Sequence, residues 1–148
     1  MGAVTTLVAA PVTTWGNVNC MRLIRNQGRH GYSGDNREVT EEEQWAWWRN
    51  NRVHAWLFSE SGRVVGYGML MKREGDRWSP SAGVVLEQMG RGLGGRIVDY
   101  LADEARELGI TLYAQAKLDN PAAVKTHHAD RWVKLGEDDT YAYFRTKQ

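Results

Sequence analysis

Apolar residues gather in strand-like runs in the middle of the chain and recur at helical spacing before and after them. Ala3 to Ala10 predicts a first strand that ends near Pro11, and Trp15 to Gln27 a helix. Gly28 to Glu38 is a polar, glycine-containing loop. Thr40-Glu41-Glu42-Glu43 forms a capping box, in which the Thr40 hydroxyl takes a first-turn N–H while Glu43 reaches back, so a second helix runs to about Asn50. Val53 to Ser59 and Arg63 to Lys72 read as strands joined at Glu60-Ser61-Gly62. Gly75-Asp76 then turns the chain into a third strand, Trp78 to Leu86. Leu93, Ile97, Leu101, Ala105 and Leu108 share one apolar face, which predicts a helix over Gly92 to Leu108. Strand Leu112 to Lys117, helix Pro121 to Ala129 and strands at Trp132 to Leu135 and Thr140 to Arg145 complete the order β-α-α-β-β-β-α-β-α-β-β.

The most informative departure from this patterning lies between the third strand and the third helix, where Gly90, Gly92, Gly94 and Gly95 crowd into six positions. A plain strand-to-helix turn needs one or two glycines. Four let the backbone approach a ligand closely, and the unpartnered first-turn N–H groups of the helix suit a phosphate. A P-loop is excluded, because Gly94-Gly95-Arg96-Ile97 offers neither the lysine nor the magnesium-binding hydroxyl. A dinucleotide fingerprint is formally present at Gly90, Gly92 and Gly95, with Asp119 beyond the next strand. That fingerprint normally opens its fold, however, and only about 53 residues follow Gly95, too few for repeated strand-helix units.

Residues 84 to 136 resemble the coenzyme-A-binding half of the GCN5-related N-acetyltransferase superfamily. The family's Arg/Gln-x-x-Gly-x-Gly/Ala is occupied by Met89-Gly90-Arg91-Gly92-Leu93-Gly94, and its spaced downstream positions fall on Asn120, Ala123, His127, Arg131 and Trp132. Met89 replaces the usual Arg or Gln, His127 the usual Tyr, and Arg131-Trp132 the usual Gly-Phe. The resemblance implies an α/β (α+β) fold with a central mixed, mostly antiparallel sheet of six to seven strands and four helices. It implies acetyl-CoA as cofactor, with Val84, Val85 and Leu86 along the pantetheine arm. The pyrophosphate would lie on Met89, Gly90, Arg91, Gly92, Leu93, Gly94 and Gly95, with Arg91 or Arg96 giving charge-assisted contacts. Asn120 and Ala123 belong to the same cofactor site.

Composition agrees with one ordinary domain spanning 1–148. Hydrophobic residues are 42% and charged residues 25%, with a net charge of +1. Cys20, the lone cysteine, excludes an internal disulfide and a zinc cluster and reads as a small buried residue, so no metal is expected. No basic run calls for nucleic acid, and no stretch approaches a membrane span. Met1 to Val12 lacks the basic residues of a signal peptide, which makes a cytoplasmic location the default. Seven tryptophans are compatible with a homodimer surface.

Amine attack on a thioester requires a base, a stabilised oxyanion and protonation of the thiolate. A backbone N–H near Leu86 is the expected oxyanion donor. His127, at the position of the family's Tyr acid, can protonate the thiolate because imidazole titrates near neutrality. Glu87 is the nearest carboxylate to serve as base, with Asp119 second and a water chain as the other route. The first half of the chain should bind the amine acceptor. Met21-Arg22-Leu23-Ile24-Arg25-Asn26 followed by Thr40-Glu41-Glu42-Glu43-Gln44-Trp45 resembles acetyltransferases of nucleotide-linked amino sugars. Arg25 and Asn26 would bind sugar or phosphate, Trp47 would stack on the acceptor, and His30 and Tyr32 would line its pocket. The activity expected is acetyl transfer to a small or macromolecule-attached amine. A non-catalytic acyl-CoA-binding protein and, behind it, a dinucleotide binder are the alternatives.

Overall fold

A computed structural model describes residues 6–28, 37–51 and 53–147. The element order matches the pattern in the sequence: β1 (Val8–Pro11), α1 (Trp15–Gln27), α2 (Glu41–Asn50), β2 (Val53–Glu60), β3 (Arg63–Lys72), β4 (Trp78–Val84), α3 (Leu93–Glu107), β5 (Tyr113–Lys117), α4 (Pro121–Lys125), β6 (Trp132–Glu137) and β7 (Tyr141–Thr146). Both first-half helices start at capping boxes. Thr14 pairs with Asn17, and Thr40 with Glu43 as expected from its spacing. Most boundaries lie within a residue or two of the sequence reading, and two of the differences bear on the site. β4 stops at Val84 because the chain enters a 3-10 turn at Leu86–Gln88, and α4 ends at Lys125, so that His127 lies beyond the helix.

The strands form two antiparallel sheets, ordered β1-β2-β3-β4 and β5-β7-β6. They meet at one parallel bridge, between Trp78 and Leu112. Beyond that bridge β4 and β5 are not paired among the described residues, so the outer edge of β4 is left open as one side of a gap.

Hydrogen-bond phase decides which groups face the gap. Arg73 N–H donates to the Arg77 carbonyl at 2.7 Å, and Val85 N–H to the Val65 carbonyl at 2.8 Å. Bonding pairs recur every second residue along an antiparallel ladder, so Ser79, Ser81 and Gly83 point their backbone groups at β3. Trp78, Pro80, Ala82 and Val84 turn theirs outward. Pro80 sits on that outer phase, where its missing N–H costs no ladder bond.

Packing fixes the two faces. On one, α3 presses Leu93, Ile97, Leu101 and Ala105 against Phe58, Leu70, Trp78, Leu112 and Phe144. It comes close because β3 carries glycines there: a Cβ on Gly68 would stand 2.9 Å from Ile97 Cγ2 and 3.0 Å from Leu101 Cδ2. On the other face α1 and α2 cover Ala55, Leu57, Tyr67 and Met69 with Val18, Met21 and Ile24. No helix among the described residues is long and apolar enough to cross a membrane.

Candidate active site

The glycine loop divides its labour. Gly90 (φ 85°) and Gly92 (φ 78°) occupy left-handed backbone that other residues rarely adopt, and they make the turn. Gly94 and Gly95 lie in the first turn of α3, where the nearest atoms to an added Cβ are 3.9 Å away, Val84 Cγ2 and Thr126 Cγ2 respectively. Gly92 is the N-cap and makes no side-chain capping bond, so the N–H groups of Leu93, Gly94 and Gly95 are free of intrahelical partners. A helix end without acidic first-turn residues and flanked by Arg91 and Arg96 suits an anion. This end lies beside the outward edge of β4, through the Gly94–Val84 contact.

The turn at 86–89 is latched to the end of α1. Leu86 N–H donates to Gln27 Oε1 at 3.2 Å, and Met89 Cε lies 3.4 Å from a Cβ built on Gly28. The oxyanion role expected of the Leu86 N–H is therefore corrected: that donor is already engaged. The N–H groups of Ala82 and Val84 point outward from the sheet, which depends on ladder phase and left no mark in the sequence.

Asn120 caps α4, accepting from Ala123 N–H at 3.3 Å, which brings these two expected cofactor-site residues together. His127 follows the helix, packed face-on to Phe144 with centroids 4.6 Å apart and edge-on to Trp132 at 4.7 Å. Its Nδ1 lies 3.0 Å from the Ala123 carbonyl, which can only accept, so the ring donates there. Burial pushes its pKa down, with the neighbouring His128 adding to this and the Ala123 bond opposing it. A neutral ring with its proton on Nδ1 presents a lone pair at Nε2. For His127 to protonate the thiolate, as its position leads one to expect, Nε2 must first take a proton. Trp132, where the family has Phe, is 2% exposed and fills the core, while Arg131 ties the α4–β6 connection to α3 through Asp103 at 3.0 Å.

Glu87, expected as the base, turns an exposed carboxylate to within 4.0 Å of Arg63 and lines a hollow with Glu60 and Val65 at the β2–β3 hairpin. Cys20 packs against the α1 core, and desolvation raises its thiol pKa, so a nucleophile's role is not supported.

In the first half, Asn26 clips α1 to the residues before α2. Its Nδ2 donates to the Val39 carbonyl at 2.9 Å, and its Oδ1 accepts from Val39 N–H at 2.9 Å. Arg25 donates to the Arg37 carbonyl at 2.6 Å. These bonds hold the segment before α2 and engage the Asn26 amide expected to bind ligand. Asn26→Ala should lower stability by about 2 kcal/mol, since it strands two backbone groups of Val39. Urea unfolding that matches the wild type would show that the clip is not needed. Trp47, expected to stack on ligand, is half-buried with Trp45 and Trp48 against the same core. The tryptophan surplus shrinks likewise: among large exposed hydrophobics Trp15 is the one tryptophan, 41% exposed. His30 and Tyr32 lie outside the described residues.

The sequence profile of the acetyltransferase (GNAT) family matches residues 21–130. The chain belongs to this family, and with membership come N-acetyltransferase activity and acetyl-CoA as acyl donor. A search of curated protein sequences gave no significant match. Solved structures with the same fold include yncA of Salmonella typhimurium, described as an acetyltransferase with its cofactor acetyl-CoA, at TM-score 0.76 and 20% identity over 97% of this chain and 94% of that one. The ribosomal-protein-alanine N-acetyltransferase of Brucella melitensis aligns at 0.78 and 18%, covering 95% and 99%. The spermidine N-acetyltransferase of Vibrio cholerae, in complex with CoA and spermine, aligns at 0.75 and 13%, covering 94% of each chain.

Proposed function

We propose that this protein transfers the acetyl group of acetyl-CoA to a primary amine of a small acceptor, such as an amino sugar or a nucleotide-linked amine. The observation that carries the reading is the outward backbone edge at Ala82 and Val84 lying beside an α3 N-terminus that no side chain caps. The pantetheine amides would add to that edge as a strand does, and the diphosphate would meet the N–H groups of Leu93, Gly94 and Gly95. An amine acceptor gains support from the spermine bound to the Vibrio cholerae enzyme.

The amine nitrogen attacks the thioester carbonyl carbon, and the oxygen takes the negative charge, facing the Val84 N–H. As the carbonyl re-forms, the carbon–sulfur bond breaks and its electron pair leaves on sulfur. His127 Nε2 takes the proton shed by the nitrogen and returns it to the thiolate, one imidazole serving in both directions. With Glu87 turned to the hairpin, Asp119 or a water chain carries the proton between nitrogen and ring.

The test is thiol release from acetyl-CoA with a panel of amines. Release that depends on one amine class is expected, and His127→Phe should slow it about 100-fold while acetyl-CoA affinity stays unchanged. Turnover by His127→Phe at the wild-type rate would remove the residue from the chemistry. An amine panel that never raises thiol release would count against small amines as acceptors.

A further inference from the structure

Glu60 is an acid in an unexpected place. It ends β2, its side chain is 8% exposed, and it reaches the glycine loop from the β2–β3 hairpin. Arg91 grips both carboxylate oxygens, Nη1 to Oε1 at 2.9 Å and Nη2 to Oε2 at 3.4 Å, and also donates to Gln88 Oε1. Arg96 Nη1 lies 3.7 Å from Oε2. One buried carboxylate thus holds the two arginines that flank the anion-binding end of α3.

Taken as a charge alone, Glu60 opposes anion binding. A buried acid is also costly unless paired. Its geometry points to a compensating role: a guanidinium on a long side chain loses considerable freedom when it meets a ligand, and a fixed fork loses less. Two arginines against one carboxylate still leave a net positive charge at the loop. They also leave N–H groups not engaged by Glu60.

We propose that Glu60 is a positioning residue of the cofactor site, holding Arg91 and Arg96 where their guanidinium groups meet the diphosphate of CoA. The inference rests on the acetyl-CoA reading of the loop. No sequence pattern announced it, because the three residues come from separate elements and the hairpin glutamate looks like an ordinary turn-flanking charge.

Calorimetric titration with CoA tests it. Glu60→Gln, which keeps the shape and removes the charge, should weaken CoA binding about tenfold and flatten its dependence on salt. In an Arg91→Ala/Arg96→Ala background, already weak, the same change should cause no further weakening. Glu60→Asp, which keeps the charge on a shorter arm, should fall between and serves if the glutamine variant folds poorly. Equal weakening in both backgrounds would mean that Glu60 supports the fold and not the arginines, and tighter binding by Glu60→Gln would mean that it only repels; either overturns the proposal. Wild-type protein that fails to bind CoA would overturn the reading of the loop as well, a failure visible before Glu60 is varied.

Discussion

Gly66→Val should be among the most damaging single substitutions in this chain, lowering stability by about 3 kcal/mol and the melting midpoint by about 10 °C. A Cβ at Gly66 would stand 2.6 Å from the backbone oxygen of Gly83 and 2.8 Å from Ile97 Cδ1. The isoleucine can rotate, but the oxygen belongs to β4 and moves only if the strand moves. β4 is also the strand whose far edge lines the gap, so the variant should bind acetyl-CoA less well even where it remains folded. Gly94→Ala is the control: its Cβ meets nothing nearer than 3.9 Å, and alanine favours a helix over glycine by about 1 kcal/mol. Thermal melts of the two, followed by circular dichroism, should separate widely. Coincident midpoints would show that β3 and β4 have slack where none is evident in the packing.

Prolines placed one residue apart on β4 should have opposite consequences. Ala82 turns its N–H toward the gap, on the same phase as Pro80, so Ala82→Pro should fold and lose a donor needed by the pantetheine arm. Acetyl-CoA affinity should fall about 30-fold, the equivalent of about 2 kcal/mol for a ligand carbonyl left unmatched. Ser81 bonds toward Met69 in the β3 ladder, and Ser81→Pro should instead lower the melting midpoint by removing that bond. Calorimetric titration and a melt on each variant decide the matter. An Ala82→Pro variant that binds like the wild type would mean that the acyl donor does not run along this edge.

Much of the fold was legible because its causes are local. Thr40 and Glu43 cap α2 three residues apart, Leu93, Ile97, Leu101 and Ala105 form one face of α3, and Gly90 and Gly92 supply the left-handed turn before it. Each of these depends on side chains within a turn or two of one another. Where α4 ends was not legible. Pro121 and Asn120 mark its start, but Thr126 bonds back to the Ala123 carbonyl, and His127 then leaves the helical path to stack on Phe144.

The site was legible as a ligand class and not as a set of roles. Four glycines before an amphipathic helix carry the anion site in their own backbone. His127 drew attention by its position, yet its protonation follows from an Ala123 carbonyl and from aromatic neighbours on β6 and β7. Asn26 and Trp47 read in the sequence as ligand groups, whereas in the fold Val39 and the α1 core engage them.

By itself, then, the sequence determined the order of elements and a glycine turn suited to an anion, because periodicity, capping and backbone freedom act between near neighbours, while coenzyme A as the ligand followed from the family resemblance. The tertiary structure alone decided that β4 and β5 part beyond Trp78 and Leu112, which phase of β4 faces the gap, and that Glu60 gathers Arg91 and Arg96. Those depend on groups far apart in the chain, whose distances are set by how closely α3 can pack on a sheet that carries glycine at 66 and 68.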